Sequence, residues 1–300
     1  MRILESQEKT EKIEKFTEKK TDSLVINKIL ANYYRKRELC QTKANKIFNC
    51  ASYLLFRKYF DPEDTKKLIS ANFCNHPLCL MCAWRLHLKK VFVLQEALDK
   101  LKQDYPDINL YFLNLTVKNW SSIDKSKLQD LERKVVRFIR KTLKVADYYC
   151  SLEISISKLE DLPYHPHMHC IIATTKELGT CLSDIRDLRC IWSKVYGDYS
   201  YGFLELTLYP IRENSVNEVT KYILKPERKI TSEYVISIAK AIKGVKKTFS
   251  SGLIRRYYRE AKNRIEGKIE AENTILEKFS FSDEFYKWLN NKYLLQSLEE

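Results

Sequence analysis

Three of the chain's five histidines, His165, His167 and His169, stand at alternate positions in the run HPHMHCIIA. A strand turns successive side chains to opposite faces, so the three imidazoles share one face while Met168, Cys170 and Ile172 point into a core. Neutral imidazoles in that arrangement can share a divalent ion. The run SLEISIS at 151–157 alternates in the same way: Leu152, Ile154 and Ile156 form its apolar face, and Glu153 is the only charge on a face otherwise made of serines. The turn-rich KLEDLPY between the two runs could close an antiparallel hairpin and bring Glu153 beside the histidines. A carboxylate with His167 and His169 is a ligand set suited to Mg²⁺ or Mn²⁺ acting on phosphate. His165 is the alternative third ligand, or a supporting or nucleic-acid-contacting group.

A second constellation lies in SVNEVTKYILKP, where the spacing predicts a short helix over 215–225 with Ser215 as its cap and Pro226 as its stop. Val216, Val219 and Ile223 make its apolar stripe, which leaves Glu218 and Tyr222 as i, i+4 neighbours on the far side. A tyrosine so placed, beside a carboxylate and flanked by Lys221 and Lys225, could act as a phosphoryl-transfer nucleophile with a general base at hand. The competing reading is structural: Ser215 to Glu218 also fits a capping box, and exposed tyrosines are ordinary in a chain with 19 of them. The third constellation is Cys74-x4-Cys79-x2-Cys82 with Cys50 upstream, a pattern for tetrahedral Zn²⁺, in which Cys40 or His76 could substitute as fourth ligand. Cys150, Cys170, Cys181 and Cys190 are expected as buried thiols. Trp84, Arg85, Lys89 and Lys90 then open a helix that offers either a phosphate-contacting surface or a solvated face.

The elements that must position these groups alternate along the chain. Residues 1–31 mix Lys and Glu with few large apolar side chains and read as a frayed helix or solvated tail. A Cys-rich zinc-binding segment follows over 32–104, ending in a long basic helix through Leu86, Val91, Leu94, Ala97 and Leu101. NLYFLNLTVKN switches to period two, with Asn114, Thr116 and Lys118 on its polar face. Helices are expected over 127–145 and 183–196, strands over 150–157, 165–173 and 202–211, and a helical region over 231–300. The pattern is α+β with a central, mostly antiparallel sheet, and its nuclease core would span 105–230. The 300 residues carry 53 Lys+Arg against 39 Asp+Glu, a net charge of +14 and a pI of about 9.2. That excess points to a polyanionic partner, most simply nucleic acid. No apolar run approaches the roughly 20 residues that span a bilayer, so no membrane role is expected. The charged N-terminus is unlike a secretory signal, which makes the cytoplasm the expected location. No phosphate-cradling GxxxxGK[ST] loop is present, so nucleotide hydrolysis is not expected.

Taken in chain order, FCNHPLCLMCAWRL, FLNLTVKN, YHPHMHCIIA and NEVTKYILKP resemble the rolling-circle replication initiators of small plasmids, within the HUH endonuclease superfamily. The resemblance covers about residues 48–260. It implies an HUH-type domain in which His167 and His169 hold the metal, with Glu153 as the acidic candidate for the third ligand. It also implies that Tyr222 nicks single-stranded DNA while Glu218 activates water at termination, as in the subgroup with a single tyrosine and a glutamate. Lys118, Lys221, Arg85 and Lys89 are the expected DNA contacts. The implied partners are plasmid origin DNA and the host helicase, polymerase and single-strand binding protein. A transposase or mobilisation relaxase would use the same chemistry, and a zinc-dependent DNA-binding regulator would use only the charge and the cysteines. Leu80 and Cys170 depart from the family pattern without removing a proposed ligand.

Overall fold

The computed structural model describes residues 2–36, 40–59, 66–178, 182–198, 204–221, 223–224, 230–266, 274–282 and 285–289. In chain order the elements are α1 (Arg2–Arg35), α2 (Gln41–Phe48), β1 (Tyr53–Tyr59), β2 (Lys66–Ala71), α3 (Leu80–Asp104), β3 (Asn109–Thr116) and α4 (Lys125–Arg137). A π-helical turn (Phe138–Thr142) prolongs α4. There follow β4 (Asp147–Ile156), β5 (Tyr164–Thr174), α5 (Leu182–Tyr196), β6 (Leu206–Pro210), α6 (Ser215–Val219), α7 (Ser232–Ala241), β7 (Thr248–Ser251), α8 (Gly252–Glu266), β8 (Thr274–Ser282) and β9 (Phe285–Leu289). The result is a mixed α/β chain with two antiparallel sheets.

The chain divides into two compact units, 1–84 with 269–300 and 85–268, and the break falls within α3. In the first unit the sheet order is β2-β1-β8-β9. Its core gathers Phe16, Leu54, Phe56, Met81 and Phe279 around Cys50 and Cys79. The Phe16 ring meets Phe56 and Trp84 edge-on at 5.8 and 4.9 Å. Two expectations change here. Residues 1–31 are not a solvated tail: Phe16, Lys20, Ser23, Asn27 and Leu30 recur at helical spacing and are buried. Three of those five are polar, which hides the stripe from a count of apolar residues. Nor is 231–300 helical throughout. The spacing of Phe279 and Phe281 is that of a strand, and β8 pairs along the whole of β1, which returns the C-terminal segment to the first unit.

The second unit is built on a sheet of order β6-β3-β5-β4-β7. On one face, Leu110 and Phe112 of β3, Tyr149 of β4, and Ile171 and Ala173 of β5 pack against α3, α6 and α8 through Leu94, Ala97, Leu101, Val216, Val219, Ile254 and Tyr257. On the other face, Leu113, Leu115, Cys150, Leu152, Met168, Cys170 and Ile172 are buried, as are Leu128, Leu131 and Val135 of α4. Trp192 of α5, fully buried, donates its indole N–H to the Thr116 carbonyl at 2.9 Å and packs edge-on to Phe138. Asp124 caps α4 by accepting from the Lys127 amide at 2.9 Å. Both faces of the sheet are therefore covered over much of its length, and the polar residues collect at one end of the first face.

Candidate active site and cysteine centre

That polar end is set by register. The β4–β5 pairing puts Ser155 opposite His165, Glu153 opposite His167 and Ser151 opposite His169. The β3–β5 pairing adds Thr116 opposite His167 and Asn114 opposite His169. Directly paired residues share a face, so the three strands present one polar rank. Glu153 and His169, both buried, make a hydrogen bond of 2.8 Å between Oε2 and Nε2. Burial works to raise the Glu153 carboxyl, but the hydrogen bond from His169 and the positive fields of His167 and Lys221 hold it below the usual range. His167 Nε2 is 3.1 Å from Ser155 Oγ, and its ring centroid lies 6.1 Å from that of His169 and 4.1 Å from that of His165. Burial lowers the His165 pKa, so that imidazole is neutral near pH 7.

The structure thus brings Glu153 and His169 into contact and directs His167 to Ser155. An octahedral ion with ligands near about 2.1 Å spaces neighbouring ligand atoms about 3 Å apart, which Glu153 and His169 match. Two buried atoms of the same rank, His169 Nδ1 and Asn114 Oδ1, have no hydrogen-bond partner. Protonated at Nδ1, His169 could donate to Asn114 and leave the Nε2 lone pair facing the Glu153 oxygen. Two acceptors so close require a cation between them, and this is the respect in which the residues fit a metal.

The turn carrying the other proposed residues is tied to the same sheet end. α6 stops at Val219, so the helix expected over 215–225 is shorter. Ser151 Oγ donates to the Val219 carbonyl, and Thr220 Oγ1 donates to the Val216 carbonyl at 2.8 Å. These bonds take up the carbonyls at the end of α6. Further on, the Ile154 amide donates to the Ile223 carbonyl at 2.6 Å, and Leu224 bridges to Ile154. The capping box is also absent, because Asn214 precedes α6 and Ser215 Oγ accepts instead from the Arg212 amide. Glu218 forms an ion pair with Lys221. Tyr222 and Lys225 lie outside the described residues, as does Cys181.

Of the expected DNA contacts, Lys89 is exposed on α3, Arg85 is half-buried there, and Lys118 pairs with Asp198 at 2.9 Å. One residue of this region has no role in the sequence reading. His87 Nδ1 lies 3.0 Å from Thr220 Oγ1. The Thr220 hydroxyl proton is committed to Val216, so His87 is the donor. Burial keeps the His87 pKa low, against the pull of Thr220. No local pattern marks a contact between residues 133 positions apart.

In the first unit Cys50, Cys74, Cys79 and Cys82 converge. Among the described residues they are the group whose ligand atoms all lie within 4.8 Å of one another. The sulfur separations Cys50–Cys82, Cys79–Cys50 and Cys74–Cys82 are 3.4, 3.6 and 3.7 Å. A tetrahedral Zn²⁺ with bonds of about 2.3 Å spaces its sulfurs about 3.8 Å apart, so the set fits that ion. The amides of Cys74 and His76 each point at a sulfur, of Cys50 and Cys74, at 3.4 Å. Hydrogen bonds from the other three cysteines hold the Cys79 thiol well below the usual range. The alternative fourth ligands sit elsewhere: His76 Nδ1 accepts from the Leu78 amide at 3.2 Å and Nε2 faces Tyr34 at 3.5 Å, while Cys40 is outside the cluster.

Residues 65–180 match the family described as a replication protein. That stretch contains three of the four clustered cysteines, Glu153 and the three strand histidines. A replication protein, "Protein rep", of Bacillus sp is 36% identical over 156 residues, covering 50% of this chain and 47% of the relative. The protein of the same name from Bacillus amyloliquefaciens is 34% identical, covering 48% and 41%. Over that stretch the chain is similar to these replication proteins. A Staphylococcus aureus "Protein rep" extends the likeness, at 29% identity over 251 residues, to 77% of this chain and 98% of the relative. The chain matches 47% and 41% of the two Bacillus relatives' lengths. No solved structure matches it. No helix among the described residues is long and apolar enough to cross a membrane.

Proposed function

We propose that this chain initiates plasmid rolling-circle replication by nicking one strand of its origin, using an HUH-type nuclease unit. The observation that carries the reading is the rank of His165, His167, His169 and Glu153, together with the backbone at Ile223 hydrogen-bonded to Ile154, the residue next to Glu153. That bond ties the segment following Tyr222 to the strand that bears the carboxylate. Tyr222 is the proposed nucleophile. Its oxygen bonds to the scissile phosphorus in line as the bond to the 3′ oxygen breaks, giving a 5′-phosphotyrosine and a free 3′-OH for a polymerase. Glu153, His167 and His169 would hold Mg²⁺ or Mn²⁺, which when bound polarises the phosphate. Glu218, released from Lys221, would take the proton from water or from a second DNA end when the round closes. Zn²⁺ on the four cysteines would be structural. A host helicase and single-strand binding protein would supply the unwound strand.

The test compares the wild type with Tyr222→Phe on supercoiled DNA carrying the chain's own replicon, with Mn²⁺. A covalent protein–DNA adduct at a nicked 5′ end is expected in the wild type alone. An adduct that persists in the variant would displace Tyr222 as nucleophile. A folded, zinc-loaded wild type that never nicks would overturn the nickase reading in favour of a DNA-binding regulator.

A further inference from the structure

The inward stripe of α3 does not stay apolar to its start. Leu94, Ala97 and Leu101 pack into the core of the second unit. Counting back along the same stripe at helical spacing gives Lys90 and His87. His87 reaches the turn after α6 through Thr220 at 3.0 Å, and Lys90 lies one helical turn further on and is half-buried. A second half-buried lysine, Lys247, comes from the segment before β7. Its carbonyl accepts from the Leu152 amide at 2.9 Å, and its neighbour Thr248 pairs with Ser151, whose hydroxyl holds the Val219 carbonyl. Three segments thus meet at the turn before Lys221, and two of them carry a half-buried lysine. Neither lysine forms an ion pair among the described residues. The nearby carboxylates are engaged, Glu218 with Lys221 and Glu153 with His169.

Two like charges drawn together in partial burial, with no carboxylate between them, oppose folding. Burial, with Lys247 adding to it, holds the Lys90 ammonium down to about 8. An anion between the two would remove the conflict, and a phosphate has the charge and the acceptor oxygens for both. We propose that Lys90 and Lys247, beside His87, form a binding site for a backbone phosphate of single-stranded DNA, next to the turn that leads to Tyr222. The site would hold the strand by a neighbouring phosphate while the scissile one meets the nucleophile. This rests on the proposed DNA-nicking function.

The experiment measures binding of a fluorescent single-stranded origin oligonucleotide to the full chain by anisotropy, in a Tyr222→Phe background with a metal chelator added after zinc loading is verified, across a series of salt concentrations. Lys90→Met and Lys247→Met are each expected to weaken binding about tenfold. Each should also flatten the dependence of log K on log salt by about 0.7, the value for one phosphate contact on a single strand. Lys90→Met should melt at or above the wild-type temperature, because it removes the like-charge conflict. Lys262→Met, an exposed lysine on α8, is the control and should do neither. Unchanged affinity and salt slope in both variants, with wild-type binding intact, would overturn the site alone. A wild type that binds no DNA would overturn the DNA reading and the site with it.

Discussion

Lys20→Met should affect the metal-free and metal-loaded chain in opposite directions. Lys20 comes from α1, is 3% exposed, donates to the Cys50 carbonyl at 2.6 Å and lies over the Phe281 ring at 5.4 Å. Burial lowers its pKa, and the four cysteines push back. Without metal the cluster offers at most the Cys79 thiolate, so this ammonium pays desolvation for one charge-assisted hydrogen bond, a cation–π contact and a single opposing charge, and a methionine of similar length should leave the metal-free chain as stable or slightly more so. With Zn²⁺ bound, four thiolates on a dication leave a net charge of −2, and Lys20 is the buried cation that offsets it. Two unit charges about 6 Å apart attract by about 3 kcal/mol at an effective dielectric of about 20. Zinc affinity should therefore fall about 100-fold. A competition titration against a chromophoric chelator reads the affinity, and melting curves with and without zinc read the two stabilities. Affinity within about threefold of wild type, or a metal-free variant melting far below it, would refute the charge argument.

Asn114→Val should lower Mn²⁺ affinity by about tenfold, read by calorimetry, with the fold retained, because it removes the acceptor available to His169 Nδ1. Stability should rise from about pH 8 to 10.5. Lys90 is disfavoured as a cation when folded but not when unfolded, so the unfolded chain binds more protons in that window; the gain is capped at about 3 kcal/mol. His87, whose pKa burial lowers, is neutral in that range. The difference in pH profile between wild type and Lys90→Met, measured by urea unfolding, isolates the effect, and identical profiles would sink it. Gly252→Ala should destabilise the second unit by about 2 kcal/mol or more in the same assay. Gly252 has φ +60°, and an added Cβ would overlap the Asp147 carboxylate that accepts from the Leu253 amide.

Local pattern carried much of the reading. Period two in 150–157 and 165–173 is the geometry of β4 and β5, and the placing of Glu153 beside the histidines followed from it, since residues facing one another across an antiparallel pair must share a face. Cysteine spacing likewise picked out the set that converges, because C-x2-C on a turn and helix start leaves two thiols within reach of one ion. The readings that changed were those where a local signal had a tertiary competitor. Ser215 to Glu218 has the composition of a capping box, but Arg212 takes the Ser215 hydroxyl and Ser151 takes the Val219 carbonyl. The apolar stripe that suggests a helix to residue 225 is real in Val216 and Val219. Beyond them, Ile223 is hydrogen-bonded and Leu224 bridged to Ile154 instead.

Residue type and spacing by themselves determined which chemistry is possible: a basic chain, an imidazole–carboxylate rank on strands, a four-thiol cluster and an α+β order of elements. Those properties are local, since side-chain alternation and ligand spacing act over a few bonds. Only the tertiary structure decided which distant groups complete them. The chain from 274 onward joins the sheet of β1, Lys20 of α1 lies against the cysteines, and His87 of α3 holds the turn after α6. Each of these contacts closes a loop of 30 residues or more. Such closures are chosen by the burial of whole faces, to which any short stretch of sequence contributes too little to be read.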